Sequence, residues 1–348
     1  MAPVSTIIPD KVASVCARLP LPKTVSISHA VVCKEGSVMA VQALEEKTTY
    51  DMVELPDGRM AKIIKGDIII GALGSRMALK GFVGRVPDKL AVGDTLHVLN
   101  LGGVLGHCVS ENTDVGHPLK VKLLGQVMLE GQPASIRSHA LPVSHALPSS
   151  APIIMVSGTC MSAGKTLAAC HIIRGLKLAG LKVSAGKVTG VSLKRDVLNM
   201  EDYGAEKGLY FTDFGLPSTV DLADVAPVAK GMVHELDSIK PDVIVLELGD
   251  GLMGGYGVRS ILEDRDLRAR TAVHVLCAND PVAAYGGKLF FDRLGLSIDV
   301  VAGPVTDNLV GVKFVQDELN LPGINARTDG EKLAAHSLAK IRSLQSKK

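Results

Sequence analysis

The 348 residues are too many for one small domain, and length alone predicts two. Aromatic residues make up only 3% and tryptophan is absent, which disfavours stacking on bases or sugars. Lys+Arg number 38 against 36 Asp+Glu, a formal net charge of +2 that is too even for a nucleic-acid or anionic-membrane surface.

Along residues 1–130, short β-like runs are separated by turn residues: VVCKEGSVMAV, YDMVELPDGRMAKII, GDIIIGAL, GFVGRV and DTLHVLNLGGVLG. Asp57-Gly58 between alternating runs is a strong hairpin signal, and Lys34-Glu35-Gly36 a weaker one. Few windows carry a helical period. These features predict a mainly antiparallel β domain, a small barrel or sandwich, preceded by a short helix around 10–18. Residues 131–150, GQPASIRSHALPVSHALPSS, contain the near-repeat SHALP with its prolines and serines and read as an extended linker.

From 151 to 348 apolar runs alternate with helix-length segments. Predicted strands lie at 153–157, 182–188, 242–248, 272–278 and 298–303, and predicted helices at 165–179, 223–239, 258–269, 281–294, 308–319 and 330–343. Strands apolar throughout and joined by helices imply a mostly parallel sheet covered on both faces, a doubly wound α/β domain. The six cysteines, Cys16, Cys33, Cys108, Cys160, Cys170 and Cys277, form no C-x-x-C pair and read as reduced thiols. The segment MAPVSTIIPDKV has no basic n-region, and no run reaches the ~18 apolar residues of a membrane span. A cytoplasmic protein is the expectation.

The stretch GTCMSAGKT, residues 158–166, follows the first of these strands and opens the first of these helices. It ends as a phosphate-binding loop does, although the usual G-x-x-x-x-G-K-[ST] spacing would place the first glycine at 159, one residue later than Gly158. Gly158 and Gly164 would let the backbone curl so that successive amides point at a phosphate, with Thr159, Ser162 and Ala163 also in the binding loop and the helix N-terminus assisting. Lys165 would reach the terminal phosphates as a point charge, and the Thr166 hydroxyl would take a Mg²⁺ position. Glu247 ends an apolar strand, where α/β sheets place ligands, and a buried glutamate calls for a cation beside it. Cys160 within the loop reads as a small packed thiol, and Gly254-Gly255-Tyr256-Gly257 as a mobile loop.

The pattern G-T-x-x-x-x-G-K-T resembles the loop of dethiobiotin synthetase, a P-loop family, over roughly residues 151–325. Lys187-Val188-Thr189-Gly190 is similar to the family's segment near substrate and phosphates, and Val245 to Gly251 to its strand ending in a Mg²⁺-holding glutamate. The resemblance implies that Thr166, Glu247 and Asp196 hold Mg²⁺, that Asn308 in Thr306-Asp307-Asn308 meets the base, and that Lys165, Lys187 and Glu247 are catalytic. Cys160, Val188 and Leu248 depart from the family's pattern. The implied activity is ATP- and Mg²⁺-dependent, activating a small metabolite by phosphoryl transfer as a ligase or kinase does. The expected partners are a small-molecule substrate and a second copy of the chain in a homodimer, with no nucleic acid and no membrane.

Two other readings stand beside it. A different N-terminal domain fused to such a P-loop half also resembles a bacterial family with members similar to amino-acid N-acyltransferases, so the loop would hold coenzyme A phosphates. A nucleotide-switched binding protein is the third, although no second lysine lies between Gly158 and Ala163.

Overall fold

The computed structural model describes residues 4–346. They form two compact units, one running to residue 141 and including 191–195 and 211–220, the other of 142–190, 196–210 and the described residues from 221 on. The boundary falls inside 131–150, which contains a short strand, Gln132–Pro133, and a 3₁₀ turn, Ile136–His139.

In the first unit the long strand Leu119–Leu129 pairs antiparallel with Val38–Ala43, which pairs with Ile68–Leu73. Ile68–Leu73 runs parallel to the start of Val104–Glu111, and Thr95–Val98 joins that strand back to Leu119–Leu129. The ring of pairings closes, so this is a mainly antiparallel β domain wound into a small barrel. Its core is aliphatic, with Val38, Val41, Ile70, Leu105, Val121 and Leu123 among the buried residues.

Asp57-Gly58 turns the hairpin between Met52–Glu54 and Met60–Lys62, with Gly58 at φ 87°. Lys34-Glu35-Gly36 does not make one: the strands flanking it, Val25–Ser28 and Val38–Ala43, each pair with Leu119–Leu129 instead of with each other. The expected helix at 10–18 is likewise absent. Lys11–Val12 pairs parallel with Ile69–Ile70, and only Ser14–Cys16 makes a 3₁₀ turn. Pairing with Ile69–Ile70 holds residues 11–12 extended, and the amides of Asp10 and Ala13 donate across to Ile68 and Ile70, so no helix starts there.

The second unit contains a six-stranded, wholly parallel sheet in the order Lys207–Tyr210, Val183–Thr189, Val243–Leu248, Ile153–Gly158, Thr271–Cys277, Val300–Ala302. Its helices are α1 (Lys165–Leu178), α2 (Arg195–Asp202), α3 (Ala226–Asp237), α4 (Val258–Glu263), α5 (Arg265–Arg270), α6 (Pro281–Arg293), α7 (Leu309–Asp317) and α8 (Gly330–Gln345). On one face α1 and α8 pack over Ile154, Val156, Val245 and Val275, so closely that a Cβ at Gly175 would stand 2.2 Å from that of Ala334. On the other face α3 presses Met232 against the sheet where residue 186 is glycine; a Cβ there would lie 2.4 Å from the sulfur.

The predicted single helix at 258–269 is two. Asp264 leaves the helical region at φ −65°, ψ 125°, caps α5 by accepting from the amides of Asp266 and Leu267, and holds the Lys230 ammonium at 2.9 Å. The helix α2 and the edge strand Lys207–Tyr210 lie outside the predicted elements.

Candidate functional site

The chain leaves Ile153–Gly158 toward Val183–Thr189 on one side and returns on the other through Thr271–Cys277. That reversal puts a crevice over the carboxyl end of Ile153–Gly158, the place where open parallel sheets bind ligands. Residues 158–166 occupy it. Gly164 caps α1 at φ 88°, Ser162 sits at φ 64°, and the first amide bonded within the helix start is that of Ala168, to Gly164 O. Among the described residues none accepts a hydrogen bond from the amides of residues 162–166. Five amides with no protein acceptor, curled around a helix N-terminus, form an anion cradle. The second unit has the P-loop fold.

Lys165 explains the displaced glycine. Its side chain folds back across residue 158, and its ammonium donates to Cys160 O at 2.9 Å and to Asp250 O. A Cβ at Gly158 would lie 2.8 Å from Lys165 Cγ and 2.9 Å from Cδ. Glycine is needed at 158 because the aliphatic stem of the lysine runs over it. The segment 249–251 lies against the same loop: a Cβ at Gly251 would meet Cys160 Cα and Thr159 O, both at 2.8 Å.

Thr166 and Glu247 meet directly, the hydroxyl donating to Glu247 Oε1 at 3.0 Å. Glu247 is 2% exposed and its Oε2 has no hydrogen-bond partner. Burial pushes its carboxyl above the usual carboxylate range; Lys187 opposes the shift without cancelling it, and Asp196 adds to it. Lys187 stands beside Glu247 in register on the neighbouring strand and pairs with Asp196 near the start of α2. Burial pulls the Lys187 ammonium down, and the carboxylates of Asp196 and Glu247 more than offset this, leaving it above its ordinary value. Asp196 therefore reaches this site as the counter-ion of Lys187.

Two residues that the sequence did not single out complete the surroundings. Asn279, just past Thr271–Cys277, donates to Cys160 Sγ at 3.0 Å, while its own Oδ1 and the buried Thr159 Oγ1 have no partner. Its position at the carboxyl end of a central strand was the available signal. Gly303 follows the last strand at φ 87°, where a Cβ would come within 2.4 Å of Ala163 O, so only glycine lets that turn lie on the loop. Asn308 caps α7, its Oδ1 accepting from the amides of Val310 and Gly311. Cys170 and Cys277, pushed up to about 12 by burial, are unreactive packing thiols.

No family model matches the chain, and no curated protein matches it significantly. Parts of it are similar to solved structures. The signal recognition particle receptor FtsY from Elizabethkingia anophelis is 17% identical, with a TM-score of 0.35 over 58% of this chain and 70% of that one. A DUF1611 family protein from Anabaena variabilis is 14% identical, with a TM-score of 0.40 over 61% and 66%. The hydrogenase maturation factor HypB from Archaeoglobus fulgidus is 15% identical, with a TM-score of 0.29 over 55% and 76%. Among the described residues, no helix is long and apolar enough to cross a membrane, and no group of three or more His, Cys, Asp and Glu is placed to hold a metal.

Proposed function

We propose that this protein is a Mg²⁺-dependent P-loop enzyme of the dethiobiotin-synthetase type that transfers the terminal phosphoryl group of a nucleoside triphosphate, ATP on the sequence evidence, to a small metabolite. The observation that carries the reading is the cradle of unbonded amides at 162–166, with Lys165 lying across it. These amides and the start of α1 would receive the β- and γ-phosphates. Lys165 would exchange two neutral carbonyl acceptors for phosphate oxygens, a stronger partner for an ammonium.

The buried, unpartnered Glu247 Oε2 beside the Thr166 hydroxyl fits a hard divalent cation, which would complete its oxygen shell from phosphate and water. Bound there, Mg²⁺ would neutralise charge on the bridging phosphate oxygens. Lys187, held by Asp196, would stand ready for charge that develops on the transferred group or on an acceptor carboxylate, carbamate or hydroxyl.

Lys165→Ala tests the proposal. Nucleotide turnover should vanish while the circular dichroism spectrum and cooperative melt persist; turnover retained at the wild-type rate refutes it. Calorimetric titration with ATP and with acetyl-coenzyme A separates this reading from the acyltransferase one. Tight binding of the coenzyme without binding of ATP would replace phosphoryl transfer by acyl transfer at the same loop.

A further inference from the structure

Glu54 ends the strand Met52–Glu54 in the first unit and is 0% exposed. Among the described residues its carboxylate meets only neutral donors. Oε2 accepts from the Ser14 hydroxyl and from the amide of Lys194 at 2.7 Å, and Oε1 from the amide of Arg195 at 2.6 Å. A buried carboxylate with no cation beside it is costly, and successive amides that open a helix offset that cost because they carry the partial positive charge of its N-terminus. Arg195 is the first residue of α2, so Glu54 caps that helix from 141 residues away.

The rest of the segment 191–195 is gripped within the same unit. The amide of Ser192 donates to Pro217 O at 2.9 Å, and its carbonyl accepts from Asn100 Nδ2 at 2.5 Å. Asn100 is 6% exposed and is itself fixed, its Oδ1 accepting from the amide of Val104. The Lys194 ammonium donates to Pro56 O at 2.6 Å. Backbone anchored at Ser192, Lys194 and Arg195 has little freedom, and the next residue in the chain is Asp196. Its carboxylate pairs with Lys187, which stands in register beside Glu247. A slip of the helix start by one residue's rise, about 1.5 Å, would take that pair out of hydrogen-bonding range.

Resting on the phosphoryl-transfer reading above for its catalytic meaning, we infer that Glu54 is a positioning residue: by holding the first amides of α2 it sets Asp196 against Lys187, and so fixes the ammonium offered to the transferred group. It acts through the backbone of residues 194–196.

Competitive acetylation of the full chain with acetic anhydride tests this, read lysine by lysine by peptide mass spectrometry without nucleotide. The proteins compared are the wild type, Glu54→Gln, Asp196→Asn and the double variant. In E54Q one amide of residues 194–195 faces an NH₂ group in place of an acceptor. Lys187 should then be acetylated about tenfold faster or more, the factor carried by a charged hydrogen bond, and D196N should do the same. Because both changes act on one ion pair, E54Q should add less than about twofold to D196N. Lys230, paired with Asp264 and 8% exposed at its side chain, reports general loosening and should keep its wild-type rate. Lys187 unchanged in E54Q, Lys187 and Lys230 quickened alike, or the full factor added on top of D196N overturns the proposal.

Should E54Q not fold, Arg195→Pro decides. Proline is tolerated at the first helical position, where it deletes the amide that Glu54 Oε1 accepts from. Lys187 must again quicken and Lys230 must not; an unchanged Lys187 overturns the proposal. With nucleotide, E54Q should lower kcat by a similar factor and leave KM for nucleotide within about twofold, and a raised KM at unchanged kcat contradicts the role. A wild type without turnover overturns phosphoryl transfer, and the labelling still decides the role of Glu54.

Discussion

The displaced glycine of the loop can be tested by melting and nucleotide binding, with no turnover measured. In Gly158→Ala the new methyl would sit 2.8 Å from Lys165 Cγ, 2.9 Å from Cδ and 3.3 Å from Ala163 Cβ. Ordinary contact begins at 3.4 Å, so the lysine stem must move by at least 3.4 − 2.8 = 0.6 Å. A free lysine would do so at little cost. Lys165 is not free: it is 7% exposed and its ammonium is held by Cys160 O and Asp250 O. Shifting the stem means overpacking or the loss of a charged hydrogen bond, and either costs about 1–3 kcal/mol. At about 2–4 °C per kcal/mol for a unit of this size, the melting temperature should fall by roughly 2–12 °C. Nucleotide affinity should fall with it, by about tenfold or more, because the lysine is misplaced. Gly286→Ala is the control: it lies inside α6 with nothing within 4 Å, so the same change should stabilise by about 0.5–1 kcal/mol. Calorimetric melting of both variants, with titration of the first, is the assay. A Gly158→Ala protein that melts and binds like the wild type would refute the claim that the lysine requires this glycine.

Three further outcomes are expected. Glu247 has a carboxyl raised by burial, so its favourable contribution is complete below the ordinary carboxyl range and is lost as pH rises through the folded value. In a chelator-containing buffer, Glu247→Gln should therefore melt above the wild type at pH 8, with the gap closing near pH 4; a lower melting temperature at pH 8 contradicts this. Asp196→Asn breaks a pair whose side chains are only 15% and 12% exposed and should cost about 1.5–3 kcal/mol, whereas Asp292→Asn in the exposed pair with Lys288 should cost no more than about 0.5. Equal losses in urea titration would show that burial does not separate the two pairs. In the barrel unit, a Cβ at Gly102 would stand 1.9 Å from Ser192 O, so Gly102→Ala should lose about 3 kcal/mol or more, read from the same titration.

What the sequence made legible was local. Gly164-Lys165-Thr166 between an apolar run and a helical one announced the phosphate loop because strand, curl and helix start are contiguous in the chain. Asp57-Gly58 announced its hairpin for the same reason, since the tight turn Pro56-Asp57-Gly58 needs one left-handed residue and glycine supplies it. Runs apolar on both faces, such as Val243–Leu248, announced a parallel sheet because only a strand covered on both sides can afford no polar face.

Where distant residues compete for the same backbone, local signals lost. Residues 10–18 read as a short helix, yet Lys11–Val12 pair with a strand nearly sixty residues away and the amides of Asp10 and Ala13 go to it. Asp264 breaks a periodic helix because it caps the next one and holds Lys230.

By itself the chain's order of residues determined that a loop able to grip phosphate exists and which elements flank it. Tertiary structure alone decided that Lys187 meets Asp196, that Glu247 lies buried against Thr166, that Asn279 reaches Cys160, and that Glu54 holds the amides of Lys194 and Arg195. Each of these contacts joins residues brought together by strand order or by the return of a loop, and adjacency across a sheet leaves no mark in the spacing of letters along the chain.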